Sequence, residues 1–380
     1  MSVIGSYGVG GDRELPRVLR FAIRPEDGGR PGRFACSLLE EGTAIRWEFA
    51  VSVSAAAERR LLEGATTLAQ WSAGKGASPA AVGRALDGVG RQLHRSFLGR
   101  RGDEYLRRME PTAVLIDVDE TILNLPWELM HGANGPLVTR VPVGRVVSTR
   151  TVPRPERDPM QQDREVRILA VADPTADLAL ARAEVRALRT LEGGAAGYSV
   201  HLDVLQGEKA TVKRFRELIA ATDYDVLHFA GHAGFAPSRP GLSALRFADG
   251  VIKADEVASL PWPAPPGIVF ASACESATAA RGARLVGRRR TANGLAAAFL
   301  SAGVAGYLGY LWPVSDEGAG TVAGAFYHTM FAEENVGVGV LRARQKAASA
   351  GAATNDLTAY SLVFYGDAGG EHRRELAQAA

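Results

Sequence analysis

The sequence predicts an α/β protein with a mostly parallel sheet flanked by helices, preceded by an N-terminal α+β accessory domain. Three observations predict it. From Arg167 onward, strand-like apolar runs alternate with helical stretches through short links, the pattern of a parallel sheet with helical crossovers. Two of those runs, Asp225-Val-Leu-His-Phe-Ala-Gly-His232-Ala-Gly234 and Gly267-Ile-Val-Phe-Ala-Ser-Ala-Cys274-Glu-Ser276, are apolar and stop at Gly and small residues. Strands buried on both faces of a sheet look like this. Before residue 55, in contrast, apolar and polar residues alternate, as in antiparallel strands with one face packed.

Taken in order, residues 1–15 are a Gly-rich, polar lead-in. Val18–Ile23, Arg33–Leu38 and Ile45–Val53 read as the antiparallel strands, with Pro25-Glu-Asp-Gly-Gly as a turn between the first two. Cys36, on the second, reads as a small buried hydrophobe. Ala55–Ser72 and Pro79–Leu98 carry Leu and Val at helical spacing. A strand follows at Ala113. From Arg145 to Arg164 periodicity disappears among Pro, Thr and Arg, which predicts a linker and divides an accessory domain over 1–150 from a main domain over 151–380. In the main domain, strands are expected at 167–172, 198–204, 225–230, 267–272 and 304–312. Helices are expected at 178–191, 211–221, 294–300 and 318–332.

Composition narrows the function. Lysine and arginine number 44 against 42 acidic residues, a net charge of +2, so no polyanionic partner and no direct nucleic-acid binding are expected. Two cysteines in unlike contexts, Cys36 and Cys274, argue for a reducing compartment over a disulfide framework. The first residues show no basic stretch ahead of an apolar core, and no apolar run approaches the roughly 20 residues of a membrane span. A soluble, cytoplasmic protein without cofactor or membrane contact is expected.

His232 and Cys274 each lie just past the end of a buried strand, where open parallel sheets place their sites. Neighbouring strands run about 4.8 Å apart, so the two can meet as a cysteine nucleophile and histidine base. A thiol attacks as thiolate and needs a base or field to form it. Backbone N–H groups of Ala233 and Cys274 are placed as oxyanion donors if both turns are tight. The plainer alternative is a buried cysteine beside a satisfied histidine.

The residues around the pair resemble the CHAT domain, a group of caspase-like cysteine peptidases related in fold to caspases and separases. The resemblance is carried by Tyr-Asp-Val-Leu-His-Phe-Ala-Gly-His232, Ser-Ala-Cys274-Glu-Ser and the run from Ala302 to Asp316. It reaches upstream to Leu125-Pro-Trp-Glu-Leu-Met130 and Ala172-Asp-Pro-Thr175. It implies a caspase-like fold, a His232/Cys274 dyad without an obligatory third member, and a protein substrate. It further implies a regulated effector in bacterial defence or cell death, triggered by a separate activating partner or sensor. His228 would then be a packed structural histidine. In the caspase-like fold the loop after the Tyr307–Trp312 strand lines the pocket for the residue before the cut. Here that loop offers Asp316, which would favour Arg or Lys, with Asp173 or Asp177 as a second wall; as a plain structural element Asp316 would cap the following helix. An Arg-directed enzyme is expected to cut itself in the basic segment between Arg281 and Arg290. A chain that stays intact by mass in its active state would refute that.

Two alternatives stand beside this one. The first is a catalytically silent caspase-like scaffold. The second starts from Asp117-Val-Asp119-Glu-Thr121, which resembles the first motif of haloacid-dehalogenase phosphatases and implies an aspartyl nucleophile with magnesium. Its final motif is poorly matched by Gly366-Asp-Ala-Gly-Gly-Glu371. Without a metal, Asp117 and Asp119 would cap a hairpin turn.

Overall fold

The computed structural model describes residues 17–26, 32–72, 77–119, 122–132, 135–148, 165–178, 181–236, 238–278, 294–333, 335–352 and 354–369. The alternating N-terminal segments form β1 (Val18–Pro25), β2 (Arg33–Glu40) and β3 (Arg46–Ser52), followed by α1 (Ala55–Ser72), α2 (Pro79–Phe97) and α3 (Gly99–Met109). Next come β4 (Ala113–Asp119), the short pair β5 (His131–Gly132) and β6 (Gly135–Pro136), and β7 (Val143–Ser148). The predicted crossovers follow as β8 (Glu165–Ala172), α4 (Ala181–Arg189), β9 (Ser199–Gln206), α5 (Val212–Ala221) and β10 (Val226–Ala230). A small sheet of β11 (Ala233–Gly234), β12 (Ala244–Arg246) and β13 (Val251–Lys253) precedes β14 (Ile268–Ser272). The chain continues through α6 (Leu295–Ser301), β15 (Gly306–Tyr310), α7 (Asp316–Glu333), α8 (Val336–Gly351), α9 (Thr358–Ser361) and β16 (Leu362–Tyr365).

Eleven strands form one sheet in the order β3-β2-β1-β4-β7-β16-β15-β14-β10-β8-β9. β15, β14, β10, β8 and β9 pair in parallel, as do β1, β4, β7 and β16, and the two blocks meet antiparallel at β15 and β16. The expected mostly parallel sheet is therefore present, and β1–β3 extend it antiparallel. Residues on either side of position 150 share this sheet, with β7 beside β16. The expected linker begins too early. Arg145 is 1% exposed within β7, and only 149–164 of that stretch falls outside the described residues.

Alternation along each strand sorts the core onto two faces. Leu19, Phe21, Val114, Ile116, Leu169, Val171, Val269 and Ala271 pack on one side with α1, α2, α5 and α6. Val18, Leu115, Ile168, Ala170, Ile268 and Phe270 pack on the other with α4, α7 and α8. This is a three-layer sandwich that buries the sheet on both faces, which is why its parallel strands read as unbroken apolar runs. Among the described residues, no helix is long and apolar enough to cross a membrane.

Candidate active site

β10 and β14 lie side by side with Ala230 opposite Ser272. His232 and Cys274 each follow two residues later, so both leave the carboxyl ends of neighbouring strands at the same level. The Gly231 N–H donates to the Ser272 carbonyl at 3.3 Å, extending the pairing one step beyond the strands. The chain then turns into β11, and the His232 carbonyl accepts from Arg246 N–H at 2.9 Å.

The cysteine loop is held by its own sequence. Glu275 takes a left-handed backbone (φ 57), which turns the chain sharply after Cys274. Ser276 Oγ donates to the Ala271 carbonyl at 2.7 Å and accepts from Tyr310 N–H at 3.1 Å. Tyr307 Oη reaches the Ser276 carbonyl at 2.8 Å and Tyr365 Oη the Ala277 carbonyl at 3.2 Å. A Cβ on Gly309 would stand 2.5 Å from Ser276 Oγ, so the loop can seat against β15 only because that residue is glycine. Among the described residues, the Cys274 N–H donates to no backbone carbonyl, and Ala233 opens β11 opposite Leu245.

Cys274 is partly buried. Burial pushes its thiol above the ordinary value; the Val314 N–H works against that, and the charges of Glu275 and Asp316 add to it. Asp316 is thus within electrostatic reach of the sulfur. It is exposed at the first turn of α7. The cap of that helix is not Asp316 but Ser315, whose Oγ accepts from Gly318 N–H at 2.9 Å, a correction to the capping role.

The His232 ring faces a carboxylate. Its Nε2 lies 3.0 and 3.1 Å from the two oxygens of Asp177, on the loop after β8. Asp173, four residues earlier, is 1% exposed. Its Oδ1 accepts from Leu178 N–H at 2.9 Å and its N–H donates to the Ala230 carbonyl at 2.8 Å. Among the described residues its Oδ2 makes no hydrogen bond and faces Arg182 Nε of α4 at 3.5 Å, and Asp177 is the residue presented outward.

Beneath the site, Glu184 accepts from Ser272 Oγ at 3.1 Å and lies 3.2 Å from His228 Nε2, while His228 Nδ1 lies 3.1 Å from Tyr327 Oη. The 3.2 Å approach of Nε2 to Glu184 is close but not aligned as a hydrogen bond. His228 is fully buried, as expected of a structural histidine. Burial first, and then the charge of Glu184, hold the Tyr327 phenol far above its usual value, so it stays a donor. Glu184 has a legible signal: it falls on the buried stripe of α4 with Ala181, Val185 and Leu188, where a carboxylate is out of place without partners.

Asp117 is 7% exposed on β4 and paired with Arg24 at 2.7 Å and Arg20 at 3.6 Å on the adjoining strand. Asp117 and Asp119 stand in the last three residues of β4, whose neighbours β1 and β7 run parallel to it, so the strand does not lead into a hairpin. Two guanidiniums at one carboxylate account for its burial. The Arg281–Arg290 segment lies outside the described residues.

The family model for the CHAT domain matches residues 87–363. The chain belongs to the CHAT domain family. Two crystal structures of the Saccharomyces cerevisiae separase–securin complex share its fold, with TM-scores of 0.58 and 0.56 at 10% and 12% identity. Each alignment covers 92% of this chain but 30% of the neighbour's, so the CHAT chain spans less than a third of that neighbour. Among curated proteins, none matches the chain. Family and fold are thus CHAT and separase-like, respectively.

Proposed function

We propose that this protein is a cysteine endopeptidase that cleaves proteins after Arg or Lys. His232 takes the Cys274 proton; the thiolate adds to the scissile carbonyl; the backbone N–H groups of Cys274 and Ala233 receive the oxyanion. Collapse of the tetrahedral intermediate breaks the C–N bond as His232 returns the proton to the leaving amine. Water then releases the acyl group from sulfur, with His232 again as base. The observation that supports this reading is the β10–β14 register, with Ala230 opposite Ser272, since His232 and Cys274 each follow two residues beyond those paired strand ends. The preference for a basic residue is supported by Asp316, whose charge is felt at Cys274. Asp173 is not assigned to that pocket, because its carboxylate is buried, with one oxygen held by Leu178 N–H and the other facing Arg182 at 3.5 Å.

The test is intact mass after incubation with an arginyl peptide carrying a cysteine-reactive group. A single adduct is expected, lost in Cys274→Ala and weaker when the peptide carries Asp at the same position. A wild-type chain that gives no adduct would favour the silent scaffold. Cleavage of the chain into two fragments between Arg281 and Arg290, seen with wild type and not with Cys274→Ala, is the expected sign of self-processing.

A further inference from the structure

We propose that Asp177 is the positioning residue of His232, holding Nε2 through its carboxylate so that Nδ1 is left to take the Cys274 proton. The inference rests on the peptidase reading above. Its basis is the pair of contacts at 3.0 and 3.1 Å between Nε2 and the two carboxylate oxygens. An ionised carboxylate only accepts hydrogen bonds, so Nε2 must carry the hydrogen, and in the neutral ring the lone pair is left on Nδ1. The carboxyl is held below its usual range, first by Thr175 and then by His232, which keeps it in the accepting form.

The loop around Asp177 is built to keep it there. Asp173 N–H is tied to the Ala230 carbonyl, on the strand that leads to His232. Asp173 Oδ1 closes the loop on Leu178 N–H, and Thr175 Oγ1 donates to Asp177 Oδ1 at 2.5 Å. Asp173 and Ala176 both hold left-handed backbones, at φ 48 and 59, a conformation non-glycine residues adopt at a cost. A Cβ on Gly231 would meet Pro174 Cδ at 3.1 Å, so the loop is pressed against the residue just before His232.

Two other uses for Asp177 fit less well. As a stabilising ion pair it would do little, since its side chain is 61% exposed and that of His232 41%, and such pairs contribute little in water. As a substrate wall it would have to release the ring it already holds, whereas Asp316 supplies a second carboxylate near the sulfur.

The experiment measures alkylation of Cys274 by iodoacetamide, beside kcat and KM for two peptides, one with Arg and one with an uncharged residue before the cut. Asp177→Ala is expected to lower the alkylation rate, and kcat on both peptides, on the order of 10-fold to 100-fold, with KM and Tm unchanged. Asp177→Asn, whose amide oxygen still accepts from Nε2–H, should recover part of the loss. A KM increase confined to the Arg peptide would make Asp177 a wall, and a faster variant would make it a latch; either overturns the inference. If His232→Ala slows alkylation while Asp177→Ala does not, positioning fails and the peptidase reading stands. A wild type without turnover, alkylated no faster than His232→Ala, would end both.

Discussion

Glu128→Ala is expected to destabilise the fold by about 3–5 kcal/mol, the usual consequence of stripping the partner from a buried charge. Arg145 is 1% exposed, and its guanidinium donates to both oxygens of Glu128, one at 2.7 Å. It also donates to the Leu123 carbonyl at 2.8 Å and the Leu125 carbonyl at 3.2 Å, and its charge lies 5.6 Å from the centre of the Tyr365 ring. A second buried cation is close. Arg344 bonds the Val143 and Leu362 carbonyls, both at 3.0 Å. Burial pulls Arg344 down to about 10, with Glu128 opposing that shift and Arg145 adding to it. Glu128 is therefore the anion serving two guanidiniums, and its loss leaves both unbalanced. Urea unfolding with a two-state midpoint measures the effect. Glu128→Gln keeps most of the shape and removes the charge, and should retain less than half of the lost stability. A cost below about 1 kcal/mol for Glu128→Ala would mean that water or another anion reaches Arg145, contrary to its burial.

The same cluster marks where sequence reading runs out. Arg145 stands at the edge of a Pro- and Arg-rich stretch, and nothing local distinguishes a solvated arginine from one whose partner arrives from residue 128. Helix α8 opens Val336-Gly-Val-Gly-Val, which by propensity is closer to a strand or loop than to a helix. Tertiary packing overrides that: a Cβ on Gly337 would meet the Ala368 carbonyl oxygen at 2.0 Å, and one on Gly339 the Phe326 carbonyl oxygen at 3.1 Å. Asn335 starts the helix by accepting from Val338 N–H at 2.9 Å. β16, short and antiparallel to β15, was missed with it. What was legible had a local cause. β8, β10 and β14 announce themselves because both faces are buried, and the ends of β10 and β14 announce a site because the chain changes abruptly from branched apolar residues to small ones. Asp177 was legible only as one of two acids after β8. Which one turns outward is decided by the hydrogen bond from Leu178 to Asp173, a detail of the loop and not of composition.

His232→Ala is expected to lower kcat/KM by about 10²–10⁴, the range for loss of a general base. The reason is the state of the thiol. Cys274 is pushed above its ordinary value, chiefly by burial, so at neutral pH the free enzyme holds it as S–H and the proton must be moved when substrate is present. The alternative, a preformed thiolate beside an imidazolium, requires a depressed thiol. The two differ in how alkylation by iodoacetamide depends on pH. With a raised thiol, the rate in His232→Ala should keep climbing as pH passes the ordinary thiol value of about 8.5, because the thiolate fraction is still growing there. Cys36 does not obscure the measurement, since it is 2% exposed and burial lifts its thiol to about 12. A plateau already reached near pH 7 in wild type would reverse the assignment. His232 would then stabilise a standing thiolate, and its removal would shift the alkylation curve upward in pH without changing the rate at its top.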